Sequence, residues 1–569
     1  MDMITKGFVN EFIKLNELNS VNESTDFEKF GTHCVIMKEY NALFDVEDCL
    51  TDPGTIGIDA VGIIVNGKLV DSIDIINDLV RSNNTIEATF AFVQTKTSGK
   101  FEATEIGLFI ETVKAFFSGD TTIFKGERMK AFINLMTYIF ENSAFMTKGN
   151  PICKLYYVTT GNWQDDTTLT SIVQRRVDEL VETNLFSDVV FEPCDARVIQ
   201  KYYRKTKESV QTTFQFEKRV TIPTIDGIQE AYFGITPYNE FLKIVSSEND
   251  VIRNILFYEN IRDYLGENDV NTSIDQTLKE GKYDFFSVLN NGVTIVADKL
   301  GATGDRFTIF NYQVVNGCQT SNVLFNNRNL TGIDKVNVPL RLIVTENDDI
   351  KNEITKATNN QTEVKQEQLE SLSDFQKSLE KHYNTIEGDS KLFYERRTNQ
   401  FNSDSTIIKT KIISIPIQIK VFSAMFLENP HAVTGYYGTI ASRLSDRIFK
   451  KDHKFSPYYA SGLAYYRLET LYRTGGLPSK YKQARYHLLM MFKLLVDNGI
   501  QPELGSRQIE RYANAIISAL NNPTKCLEIF TKATELIDKS GIDVSDRDQL
   551  KRKEVTDSII AIVRTVGGR

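Results

Sequence analysis

An aspartate inside an apolar run, Ile58-Asp59-Ala60-Val61, is followed 35 residues later by Phe92-Val93-Gln94-Thr95-Lys96. A strand alternates faces at period two, so Gln94 and Lys96 point the same way from one extended segment. A carboxylate, an amide oxygen and an ammonium at one sheet edge suit a hard divalent cation beside a fixed positive charge. Such a set fits metal-assisted hydrolysis of a phosphodiester. In that chemistry Asp59 is a ligand to Mg²⁺ (or Mn²⁺), Gln94 contributes its amide oxygen and Thr95 its backbone carbonyl. Lys96 orients or deprotonates the attacking water, or neutralises charge developing on phosphorus. The plainer alternative is a half-exposed strand that carries Gln and Lys at i and i+2.

The flanking sequence supplies elements to position these residues. Residues 8–18 and 25–43 have the three- and four-residue apolar spacing of helices. Asn66-Gly67 between two apolar segments predicts a hairpin, because both central residues of a type I′ turn need positive φ. A polar excursion over 71–87 leads to a strand from Ala88 to Lys96. A helix follows with Ile106, Phe109, Ile110, Val113, Phe116 and Phe117 on one face. Strands at 155–160 and 189–191 flank a helix around 167–183. This order predicts an α/β layer domain ending near residue 205.

Phe27-Glu28 in a helix, then Gly57-Ile58-Asp59, then Gln94-Thr95-Lys96 resembles the PD-(D/E)xK nuclease superfamily, over about residues 20–120. The Mrr-like restriction branch, which tolerates Gln in place of the second acid, is the nearer likeness. The resemblance implies catalytic roles for Glu28, Asp59, Gln94 and Lys96. Ile58 stands where the family name has Pro, and Gln94 leaves one fewer negative charge for a metal. Glu11 is a rival to Glu28 as the helix acid.

Composition sets the wider bounds. At 569 residues, 41% hydrophobic and 25% charged, the chain has the length for two to four domains of ordinary globular make-up. No run of 18 apolar residues appears and the first residues lack a basic-then-apolar leader, so a cytoplasmic protein is expected. The six cysteines include no CxxC and the five histidines are scattered, which argues against zinc and against a disulfide framework. A net charge of −9 disfavours a protein that coats DNA nonspecifically. The first 100 residues hold 16 acids against 8 bases, whereas residues 201–219 hold six bases against two acids. In that basic stretch Lys201, Arg204, Lys205 and Lys207 could contact phosphates, with Tyr202, Tyr203, Phe214 and Phe216 stacking on bases. A solvated helix whose aromatics face the core is the alternative.

The middle of the chain carries different motifs. Residues 255–265 and 270–278 lead into NNGVTIVAD (290–298) and YQVVNGCQT (312–320), whose Asn-Gly pairs sit at strand ends. Backbone N–H groups where Gln319-Thr320 opens a helix could meet a phosphate. TNNQTEVK (358–365) adds an amide cluster, and Arg396-Arg397 in FYERR offers bidentate anion contacts. Amides do not titrate near neutral pH, so Asn291, Asn316, Gln319 and Thr320 suit ligand reading rather than acid–base work. Turns and caps that hold a domain core are the competing account. These motifs, in this order, resemble the AIPR family, named for abortive-infection phage resistance, over about residues 230–400. The resemblance implies bacterial defence against phage and, by itself, no reaction.

Beyond residue 405 the apolar spacing is helical at 458–472, 482–496, 508–520 and 525–538, with no chemical motif. The expected architecture is multi-domain α/β. Residues 1–205 form a restriction-endonuclease-like α/β/α domain, 206–404 an α+β AIPR domain and 405–569 a helical region. The expected function is an Mg²⁺-dependent endonuclease acting on DNA, with a sensing domain that takes a nucleotide or phage-derived trigger. A homodimer through the C-terminal helices is expected to cut both strands. A catalytically silent nucleic-acid- or nucleotide-binding regulator is the alternative, and action on RNA stays open.

Overall fold

The computed structural model describes residues 1–569 except 41, 120, 123, 125, 165–166, 208–209, 247–251, 258–268, 360–365, 397–399, 402–403, 405, 434, 436–439, 441–442, 445–446, 498, 545 and 568–569. The first sheet comprises β1 (Ala60–Val65), β2 (Lys68–Leu69), β3 (Ala88–Lys96), β4 (Ile152–Thr159) and β5 (Asp188–Cys194), in the order β2-β1-β3-β4-β5. β1 runs antiparallel to β2 and β3, whereas β3, β4 and β5 are parallel. The expected hairpin is present: Asn66 and Gly67 have φ of 49° and 72°, pairing Val65 with Lys68.

Both faces of this sheet are covered. Phe90, Phe92, Leu155 and Tyr157 pack towards the helices Ala103–Phe117 and Glu127–Glu141. Ala91, Val93, Tyr156 and Val158 pack towards the helix Glu23–Tyr40. That helix is buried along most of its length. Helices Met3–Leu15 and Ala196–Lys207 pack on it from outside the sheet. Two elements depart from expectation. The polar stretch 71–87 contains a helix, Ile73–Asn83, which buries Ile76 and Leu79, and Asp78 with them, while Arg81 stays exposed. The Glu127–Glu141 helix lies in a segment to which no element had been assigned.

The second sheet has the order β6 (Gln211–Gln215), β10 (Arg306–Asn316), β9 (Val293–Thr303), β11 (Asn337–Val344), β8 (Glu230–Pro237), β7 (Lys218–Thr221). Only β9 and β11 pair in parallel. Each Asn-Gly turn has a packing reason. Gly317 has φ of 93°, and a Cβ there would stand 2.8 Å from the Gly292 carbonyl oxygen, so the two turns touch. The helix Cys318–Asn326 begins directly after Gly317, and Asp269–Lys279 is also helical. Residues 258–265 of the stretch before these motifs, and 360–365 of the TNNQTEVK motif, lie outside the described residues.

The C-terminal helices include Ser456–Arg473, Arg485–Val496, Arg507–Asn521 and Pro523–Ser540, close to expectation. Their apolar faces meet one another in a large core with Phe422, Tyr458, Leu489, Ile516 and Phe530. The apolar surface expected to seek a second copy is therefore satisfied within the chain. The helices also hold the N-terminal layer through Glu17 to Thr410 (2.6 Å) and Tyr466 (3.0 Å), and through Lys551 to Asp74 (2.7 Å). All six cysteines are buried and unpaired by disulfides. No helix among the described residues is long and apolar enough to cross a membrane.

His487, 2% exposed, sits in the C-terminal core with Nε2 3.3 Å from the Thr556 hydroxyl. Burial, reinforced by neighbouring His431, pushes its pKa down to about 3. The unfolded chain therefore takes up a proton near pH 6.5 that the folded chain refuses. Stability is full above pH 6.5 and falls as pH drops towards 3, by about 2 kcal/mol between pH 7 and 5. Thermal melts should show this acid loss, and His487→Gln should reduce it; identical pH profiles would show that this histidine does not govern it.

Candidate functional site

The end of β3 and the start of β1 meet because the two strands are antiparallel, with Ala60 opposite Val93. Asp59 thus lies beside Gln94 and Thr95. Its backbone is pinned from two sides: its N–H donates to the Val93 carbonyl (2.9 Å), and its own carbonyl accepts from the Thr51 N–H (2.9 Å). Gly57, at φ 79°, makes the turn into this segment, where a Cβ would stand 2.5 Å from the Thr112 hydroxyl. Ile58 is fully buried, which gives the residue in the motif's usual proline position a packing role.

Three donors converge on one carboxylate oxygen. Asp59 Oδ2 accepts from the Thr95 N–H (2.6 Å), the Thr95 hydroxyl (2.8 Å) and Gln94 Nε2 (3.1 Å). Gln94 Nε2 also donates to the Thr95 carbonyl (3.3 Å). Two acceptors on the same side fix the amide orientation, since the reversed amide would set oxygen against oxygen. Gln94 Oε1 is left buried with no hydrogen bond. Thr95, expected to act through its carbonyl, contributes its N–H and hydroxyl to orienting Asp59.

Glu28 enters from the Glu23–Tyr40 helix. Gly31, one turn on, lets that helix approach: a Cβ there would stand 3.0 Å from Thr95 Cγ2. The half-buried Glu28 carboxyl is pushed up to about 7, by burial first and then by the negative charge of Asp59. Burial also raises Asp59, opposed by its hydrogen bonds to Thr95 and by Lys96. Glu11 is elsewhere, paired with Lys207 and Tyr203, so Glu28 is the helix acid that faces Asp59. Lys96 stands at the mouth, 2.8 Å from Glu105. Tyr157, opposite Gln94 on β4, is buried, and nearby Glu105, Glu102 and Asp59 add to burial in raising its phenol. Glu105 and Tyr157 went unnoticed in the sequence; the acids opening the helix after β3 were the available signal.

Among the described residues no three His, Cys, Asp or Glu side chains converge. Among the described residues Gln94 Oε1 is the buried oxygen at the site without a hydrogen bond, and Asp59 Oδ1 and the half-buried Glu28 carboxyl accept none. These donors fit a hard cation such as Mg²⁺, with Gln94 supplying the neutral ligand.

The other expected site residues separate from this group. Lys201, Arg204 and Lys205 are exposed on the Ala196–Lys207 helix, whereas Lys207 pairs with Glu11. Tyr203, Phe214 and Phe216 are at most 3% exposed, so they are core residues rather than stacking platforms. Asn291 is exposed, Asn316 and Gln319 are half-buried and Thr320 is buried around the two touching turns. Arg396 does not offer an open fork: its Nε donates to Glu380 (2.6 Å), whose other oxygen accepts from Gln400 (2.7 Å). Arg397 lies outside the described residues.

Replacing Gln94 tests the donor set. Gln94→Glu sets a second carboxylate against Asp59, so the metal-free protein should melt lower. Titration calorimetry with Mn²⁺ should then give at least several-fold tighter binding than wild type, with the melting temperature restored. Asp59→Ala should lose the Mn²⁺ signal. Equal Mn²⁺ binding by wild type and Asp59→Ala would remove the metal assignment.

Comparison with known proteins gives one positive finding. No curated protein and no solved structure matches the chain. A family model described as AIPR protein matches residues 257–556. The match takes in the C-terminal helices, which the motif resemblance at 230–400 had left out, and stops short of the Asp59 site. Covering more than half of the sequence, it shows that the chain belongs to the AIPR protein family.

Proposed function

We propose that the chain is an anti-phage effector whose N-terminal layer is an Mg²⁺-dependent DNA endonuclease of PD-(D/E)xK type, governed by its AIPR portion. Membership of the AIPR family points to abortive-infection defence. The nuclease reading is carried by one observation: among the described residues Asp59 Oδ2 is clamped by three donors while Gln94 Oε1 beside it stays buried with no hydrogen bond. A purely structural aspartate gains nothing from neighbours left unsatisfied.

Each residue then has a distinct task. Thr95 fixes the Asp59 carboxylate, so that ligand needs no reorganisation. Asp59, Gln94 and Glu28 hold Mg²⁺, which when bound supplies positive charge to a phosphodiester under attack. Glu105 holds Lys96 at the mouth, where the ammonium faces charge developing on phosphorus. The exposed face of the Ala196–Lys207 helix contributes phosphate contacts through Lys201, Arg204 and Lys205. Cutting both strands in one event calls for a second copy, docked through a surface other than the C-terminal apolar faces.

Plasmid, linear duplex and RNA should be incubated with the full chain in Mg²⁺ or EDTA. DNA cleavage should require Mg²⁺, disappear in Asp59→Ala and fall at least a hundredfold in Lys96→Ala. Cleavage in EDTA or by Asp59→Ala would overturn the active-site reading, and cleavage of RNA alone would overturn the substrate.

The basic helix is tested separately. Changing Lys201, Arg204 and Lys205 to alanine should weaken DNA binding and flatten its dependence on salt, because each phosphate contact releases counterions. Stability should stay within about 0.5 kcal/mol per substitution. Unchanged binding would mark the helix face as merely solvated.

A further inference from the structure

We propose that the cavity between the N-terminal layer and the C-terminal helices binds a phosphorylated nucleoside. The cavity has a volume of about 420 Å³, within the usual range of small-ligand sites, about 300–1,000 Å³. Its two sides differ in chemistry.

One side is an aromatic shelf. His33 stacks on Phe44 at 5.6 Å between ring centroids, and Phe12 lies 4.8 Å from His33. All three line the cavity. A planar base is the group such a surface accepts.

The other side presents donors without acceptors. Lys420 projects from the largely apolar helix Ile415–Phe426 and lines the cavity. Its ammonium makes no hydrogen bond or ion pair among the described residues. Asp71 and Asp78 favour its charge only at longer range, and burial depresses its pKa. The hydroxyls of Tyr40, Tyr465 and Tyr486, on the same cavity, likewise make no hydrogen bond among the described residues. An ammonium and three phenols that face the cavity without acceptors are the donors an anion would take up. The acids lining the cavity each lie near a cation, although both carboxylate oxygens of Glu469 and Oε1 of Glu395 make no hydrogen bond among the described residues. Asp45 faces Lys482 at 3.8 Å, Glu469 faces Arg485 at 3.6 Å, and Glu395 neighbours Lys409. Base on the shelf and phosphate on Lys420, with the phenols as further donors, is the arrangement that uses both sides.

The site is placed to control the Asp59 centre. His33, Met37 and Tyr40 belong to the helix that carries Glu28, and Met37 lies nine helical steps beyond Glu28, about 14 Å. A ligand that draws the C-terminal helices onto one end of this rod acts on Glu28 at the other.

Binding can be read without any cleavage assay. The full chain, held in EDTA so that the Asp59 centre takes no part, should be melted and titrated by calorimetry with ADP, GDP, CDP and UDP. At least one should raise the melting temperature and bind in the micromolar range. The matching nucleoside and inorganic phosphate should each bind at least tenfold more weakly. Lys420→Met should lose at least tenfold in affinity while melting no lower than wild type without ligand, since it removes a half-buried charge that has no ion pair among the described residues. Tyr465→Phe/Tyr486→Phe should lose affinity without loss of fold. If none of the four binds, or if binding survives undiminished in Lys420→Met, the proposal fails, whatever the protein does to DNA.

Discussion

The burial of one helix, Glu23–Tyr40, organises the N-terminal half. It lies across the sheet with Phe27, Phe30, Cys34 and Val35 fully enclosed, and helices Met3–Leu15 and Ala196–Lys207 cover its outer side. Two glycines make this possible. Gly31 admits the helix to Thr95, and Gly62 on β1 leaves room for Ile36, whose Cδ1 would otherwise stand 2.4 Å from a Cβ. With the helix so seated, Glu28 has no choice but to face Asp59. Its unfavourable burial is offset by the apolar contacts of its neighbours and eased by the charge of Lys29.

A second constraint acts at the opposite end of the same helix. Lys38 reaches Tyr156 (3.0 Å) and Glu192, while Glu39 accepts from Lys154 (2.8 Å) and from the Tyr156 hydroxyl (2.5 Å). Charges of both signs are here matched within a layer that would otherwise exclude them. This network fixes the helix against β4 and β5 as apolar packing alone would not, because its hydrogen bonds have direction. Helix position and register are thus set by ions at one end and by close packing at the other.

The legible parts of the chain were those whose cause is local. Asn66-Gly67 announces its hairpin because the φ values come from two adjacent residues. Asp59 and Gln94 could be paired in advance, since a hairpin followed by a strand returns the chain to the same sheet edge. Helices Ile73–Asn83 and Glu127–Glu141 were missed for different reasons. In the first, Asp74, Asn77, Asp78 and Arg81 dilute the apolar spacing to a polar appearance. In the second, Phe132, Ile133, Met136 and Ile139 have the spacing, but no motif directed attention there. The role of Thr95 was hidden because its side chain belongs to the other face of β3, and that of Tyr157 because β4 is distant in sequence. The basic and aromatic run at 201–219 misled by composition: a helix end and a strand start are adjacent in sequence, yet their aromatics enter different cores.

Burial of every cysteine has a practical side. Cys34, Cys49 and Cys194 have thiols pushed well above their ordinary range by enclosure, and none of the six is exposed. Thiolates are the species that react with maleimides and iodoacetamides, so the native protein is close to inert towards them. Fluorophores or spin labels can therefore be placed on single introduced cysteines without first stripping the natural ones. The approach of the C-terminal helices to the N-terminal layer can then be followed as a distance in solution, in a protein otherwise left as its sequence made it.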